Sequence, residues 1–188
     1  MQARQLFHRR GYADTEMEDI RKACGVSRGG LYHHFANKAA ILDAIVMDEV
    51  DELASRLACS DEPPIEMLLE MGSSQLGNDA GIMSALHSQE EKLAYLSSLD
   101  RAIWFKLSPI LSDRIAGSLS SDANPEHVAE LFLTINAHIN RRVLLGDWTD
   151  QQGAGFAATA LAALVPFFED AARLRQVIQS LQEKGLDK

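Results

Sequence analysis

Cys24-Gly25-Val26-Ser27-Arg28-Gly29-Gly30-Leu31-Tyr32-His33-His34-Phe35 is the stretch that decides how this 188-residue chain is read. Ser27 is a good N-cap, because its hydroxyl can accept from a backbone N–H in the first helical turn, and it opens a helix running to about His34. Two glycines at the front of that helix each cost about 1 kcal/mol relative to alanine. Something other than helix propensity has to offset them. A helix front bare of side chains lets the backbone come close to a flat partner, as a helix entering the major groove of DNA must. Donors suited to a duplex surround the glycines: Arg28 for a guanine edge, Ser27 and Tyr32 for phosphate or base, His33 beside them. Lys38 follows at the start of the next helix, where free N–H groups and the positive dipole end favour a phosphate.

Working outward, a first helix runs from about residue 2 to residue 10 and stops at Gly11, where a left-handed cap suits glycine. A second begins after Thr15, whose hydroxyl and Glu18 read as a capping box, and ends near Cys24. Asn37 caps a fourth helix over 37–58, with Leu42, Val46, Val50, Leu53 and Leu57 on one face. Asp61-Glu62-Pro63-Pro64 breaks that pattern. Helices are then expected over 63–75, 81–87, 89–120, 125–145 and 151–182, with kinks at Pro109 and Pro166. Apolar and acidic residues recur at spacings of three and four with no sustained alternation, so the fold class is all-α. The expected architecture is a three-helix helix-turn-helix head over residues 1–48, joined by the long helix to a helical body over 49–188.

The net charge is −9, which at first opposes binding to nucleic acid. Its distribution reverses that: residues 1–40 hold seven Lys and Arg against four Asp and Glu, and residues 41–188 hold eleven against twenty-three. A basic head on an acidic body presents one end to DNA and keeps the other off it. No uninterrupted run of 18 apolar residues exists, so no membrane partner is expected. The N-terminal residues have no apolar core of a signal peptide, and Cys24 and Cys59, 35 positions apart, form no CxxC pair; both fit a cytoplasmic location. No GxSxG, HExxH or glycine-rich phosphate loop occurs, so the chain reads as no enzyme, with no cofactor and no metal. His87, Glu90 and Glu91 are what a competing reading, an all-helical enzyme or metal protein, would use, but His87 and Glu91 read better as a surface pair.

Gly11-Tyr12, Thr15, Ile20, the stretch from Cys24 to Phe35, Lys38 and Leu42 together resemble the DNA-binding domain of the TetR family over roughly residues 3–46. The resemblance implies an all-helical homodimer that binds double-stranded operator DNA, most simply a repressor released from a palindromic operator by a small-molecule effector. An activator or a ligand-independent regulator has the same fold. DNA contact is then implied for Thr15, Ser27, Arg28, Gly29, Tyr32, His33 and Lys38. His34 and Phe35 are read as head core, and Cys24 as a small buried residue. The first helix starts about ten residues later than is usual in the family, and Arg21 stands where alanine is common, facing solvent or phosphate.

The resemblance also puts an effector pocket in the body, with Met67, Met71, His87, Trp104, Phe132 and Asn136 as its candidate lining. From the residues themselves, Val128, Leu131, Ile135 and Ile139 form an apolar stripe, and Ala157, Leu161 and Leu164 lie in a segment rich in small residues. Such faces suit a four-helix dimer interface across a twofold axis. The helix over 37–58 is the expected lever between pocket and head.

Overall fold

The computed structural model describes residues 2–59, 82 and 85–186. Among these residues the regular elements are helical, and β structure is limited to an isolated bridge between Leu119 and Phe168.

Helix α1, Gln2–Arg10, buries Ala3 and Phe7 and ends at Gly11, whose φ of +88° places its N–H 2.8 Å from the Phe7 carbonyl. Helix α2, Met17–Cys24, is capped by Glu16 and not by Thr15: the Asp19 carboxylate accepts from the Glu16 N–H at 3.1 Å. Thr15 is fully buried, and its hydroxyl donates to the Gly11 carbonyl at 2.7 Å. The hydroxyl thus holds the turn that follows α1, while the next residue opens the following helix. Gly25, at φ +67°, ends α2, its N–H directed at the Arg21 and Lys22 carbonyls. Helix α3, Arg28–His34, begins where the Ser27 hydroxyl accepts from the Gly30 N–H at 3.0 Å. In α4, Lys38–Cys59, the Asn37 side chain caps through the Ala40 N–H at 2.9 Å.

Helix α4 runs unbroken through residue 48, so the expected partition between head and body falls inside a helix. It packs on α5, Gln89–Ala116, which packs on α6, Pro125–Leu144; α7, Asp150–Ala162, lies against α6, and α8, Ala172–Leu186, against α7. Leu96, Leu99, Leu107, Leu111 and Ile115 of α5 meet Val128, Ala129, Phe132 and Leu133 of α6 in the core. Helix α5 stops at Ala116, four residues before the expected end, and contains Pro109.

The single helix expected over 151–182 is three elements. Pro166 does not kink a continuous helix; it lies in a 3-10 turn, Val165–Phe167, between α7 and α8, as a residue without an N–H favours. The small residues of α7 are used within the chain. A Cβ on Gly185 of α8 would lie 3.3 Å from the Gly155 Cα, and one on Gly153 would lie 3.1 Å from Val143 Cγ2 of α6. The expected helix over 63–75, with Met67 and Met71, lies outside the described residues, as do positions 81, 83 and 84 of that over 81–87; the described Leu86 and His87 are not helical. Among the described residues no helix is long and apolar enough to cross a membrane.

Candidate nucleic-acid interface

Helix α3 gives nearly its whole circumference to solvent. Leu31 alone of its residues is buried, while Arg28, Gly29, Gly30, Tyr32, His33 and His34 are exposed. His34 is therefore not part of the head core, and Cys24, at the end of α2, is exposed as well. Both lie on helices so short that a single buried residue anchors each, Leu31 in α3 and Ile20 in α2, leaving the other positions little core to enter. Phe35, just past α3, is half-buried against the core. The Arg28 guanidinium sits 5.7 Å from the Tyr32 ring centre, so the two side chains form one stacked unit on the open face.

Among the described residues, no packing contact of equal size accounts for the glycines. A Cβ on Gly29 would meet nothing within 4 Å, and one on Gly30 would meet only the Ser27 hydroxyl oxygen, at 3.2 Å. Neither glycine has a positive φ. Alanine at position 29 would thus fit the free protein and favour its helix.

The turn leading into α3 is held by a residue whose role sequence reading missed. Arg21 donates from Nε and Nη2 to the Glu18 carboxylate at 2.9 and 2.8 Å, and from Nη1 to the Val26 carbonyl at 3.0 Å. The guanidinium thereby clamps α2 to the loop before Ser27. Its hydrogen bond holds the Glu18 carboxyl below the usual carboxylate range, and Glu18 in turn raises the Arg21 pKa. The three-residue spacing of Glu18 and Arg21 on one helix was the available signal.

Lys38, at the start of α4, donates to the carbonyls of Tyr12 and Ala13, the latter at 3.0 Å, and lies 4.5 Å from the Tyr12 ring centre. It binds the α1–α2 turn to α4. The same turn docks on the body: the Tyr12 N–H donates to the Ala85 carbonyl at 2.9 Å, and a Cβ on Gly11 would fall 2.9 Å from the His87 ring. Burial, with Glu91 and Asp43 nearby, raises the Tyr12 pKa. Thr15 is buried beneath this turn and its hydroxyl is bonded to the Gly11 carbonyl, so its side chain is not on the surface as its expected role requires.

In the body, Trp104 lines an open groove between α4 and α5, while the other described pocket candidates lie elsewhere. His87 packs on Gly11 at the junction. Phe132 is 2% exposed in the core, and the Asn136 amide donates to the Phe132 carbonyl at 3.0 Å, on its own helix. The backbone N–H groups of His87 and Ser88 both donate to the Glu91 carboxylate, which caps α5. Among the described residues no three His, Cys, Asp or Glu side chains gather as a metal site.

The expected dimer stripe divides in two. Val128, Leu161 and Leu164 are buried inside the protomer and are not free to face a partner, because α6 and α7 need them to cover α5 and α8. Leu131 is 46% exposed, and Ile135, Ile139 and Ala157 are half-buried. Beside them Trp148, His138 and Phe156 cluster with ring centres 5.1–5.3 Å apart, and Phe156 is partly open to solvent.

Residues 2–45 match the family model of the bacterial regulatory proteins, tetR family. The transcriptional regulator UidR of Escherichia coli K12 is 37% identical over 54 residues, 29% of this chain and 28% of that protein. The transcriptional regulator TtgR of Pseudomonas putida is 38% identical over 65 residues, 35% of this chain and 30% of that one. The chain thus spans about a third or less of the curated relatives it matches. A TetR-family transcriptional regulator from Pectobacterium atrosepticum shares the fold, with a TM-score of 0.53 and 24% identity over 90% of this chain and 91% of that structure.

Proposed function

We propose, for a chain that belongs through residues 2–45 to the TetR family of bacterial regulatory proteins, that it acts in the cytoplasm as a homodimeric repressor of a palindromic operator and leaves it when a small molecule occupies its body. Residues 1–48 read the DNA and residues 49–188 bind the effector and the second subunit. Arg28 contacts a guanine edge, Ser27, Tyr32 and His33 contact bases or phosphates, and Lys38 contacts a phosphate. Leu131 of α6 and Phe156 of α7, both exposed apolar side chains, make the twofold contact. A dimer would set two α3 helices about 34–36 Å apart or a multiple of that, one per half-site.

The observation that carries this reading is Gly29. It weakens a short, exposed helix, and among the described residues nothing comes within 4 Å of where its side chain would begin. A partner surface pressed against the backbone is what a bare position there serves. Gly29→Ala should therefore raise stability by about 0.5–1 kcal/mol in thermal melts. It should also weaken binding to an operator selected from genomic fragments by about tenfold or more. A variant that gains the stability and binds that operator as tightly as the parent refutes the assignment of α3 as the reading helix.

A further inference from the structure

We infer that the effector site is the groove between α4 and α5, and that it takes an uncharged, flat, largely apolar molecule. This deepens the regulator reading and rests on it. The groove is open on one side and offers about 740 Å³, within the roughly 300–1,000 Å³ of small-molecule sites. Met47 comes from α4, and Trp104 and Phe105 from α5, so an aromatic pair and a pliable thioether line it. Trp104 is 42% and Phe105 74% exposed, a large apolar pair that the protomer's own core does not use.

Charge selects the ligand class. Two carboxylates, Asp43 and Asp100, line the groove, and each already faces a guanidinium: Arg101 lies 3.5 Å from Asp43, and Arg141 2.7 Å from Asp100. Arg101 lines the groove as well, so a cation would have to displace an arginine from a carboxylate and an anion a carboxylate from an arginine. A neutral ring system stacks on Trp104 and disturbs neither pair.

Position supplies the link to the head. Asp43, Met47 and Asp51 recur every four residues along one face of α4, and Asp43 and Asp51 pair with Arg101 and Lys106 of α5. The groove thus sits between two ion pairs that tie the helices together, and on the helix whose first residue holds the α1–α2 turn. A ring system wedged at Met47 spreads α4 from α5 between those ties, and the displacement reaches Lys38 along a rigid helix.

The test uses the full chain and the neutral fluorophore N-phenyl-1-naphthylamine. Saturable binding with quenching of tryptophan emission is expected. Met47→Asp, which puts an unpaired carboxylate on the apolar lining, and Trp104→Ala should each weaken binding about tenfold or more, while Trp104→Phe retains most of it. The anionic 8-anilinonaphthalene-1-sulfonate and the cationic crystal violet should bind less tightly than the neutral probe. Saturating probe should lower affinity for the selected operator.

Probe binding that ignores both Met47→Asp and Trp104→Ala overturns the site, and tighter binding of crystal violet or the sulfonate overturns the ligand class. Probe that binds in the groove and leaves operator affinity unchanged overturns its role as the effector site. A parent protein that retains no duplex at low salt, yet binds the probe with this variant pattern, refutes the regulator reading while the ligand class stands.

Discussion

The head and the body of this chain use their residues in opposite directions. In α3 a single leucine faces inward and every other side chain is offered to the surroundings, whereas α5 buries eight residues and gives its interior to α4 and α6. The head leaves its side chains on the surface and the body turns them into its core. Substitutions in the body should therefore register first in stability, and those on α3 first in binding.

The largest effect should come from Leu107→Ala. Leu107 is fully buried in α5, and its truncation should cost about 2–5 kcal/mol, read as a lower Tm. Affinity of the folded variant for the operator at low temperature should stay close to that of the parent; a large loss there would break the contrast between the two regions. Arg28→Ala should do the reverse. It should cost about 1–3 kcal/mol of operator affinity and relax preference at one base pair per half-site, with the Tm unmoved.

Lys38→Ala sharpens the comparison because the residue serves both regions. Loss of one phosphate contact should make the salt dependence of operator binding shallower by about one unit of slope. Loss of its bonds to the Tyr12 and Ala13 carbonyls should lower stability by about 1 kcal/mol. An unchanged salt slope with a lowered Tm would place Lys38 wholly on the structural side.

The smallest effect concerns pH. The Glu18 carboxyl titrates below its ordinary value in the folded protein, so its bond to Arg21 stabilises the fold above the unfolded-state pKa and is lost as pH falls through the lower, folded value. The parent should melt slightly above Glu18→Gln at neutral pH, and the two should converge in acid. A gap that persists or widens in acid would deny the clamp its ionic character.

The head was legible because its signals are local. Ser27 and Asn37 cap helices through groups three residues away, and Gly11 and Gly25 take the left-handed conformation at helix ends. Thr15 misled because two overlapping four-residue windows both spell a capping box, and only the packing of Thr15 against the end of α1 decides between them. The body was less legible because an apolar stripe does not name its partner. Val128, Leu161 and Leu164 have the spacing of an interface and serve the core instead. The segment rich in small residues suits a partner subunit's helix, but at Gly155 the helix that comes close is the chain's own α8. Trp104 lies at a groove, while His87 is drawn to the junction by Gly11, a contact no periodicity encodes.

The unbroken course of α4 from Lys38 to Cys59 has a consequence for anyone exchanging reading heads between such proteins. One residue inserted or deleted near position 48 would turn everything upstream by about 100° about the helix axis and shift it by about 1.5 Å. Head swaps must therefore preserve helical phase, and a phase error should leave each part folded while aiming the recognition surface away from the duplex.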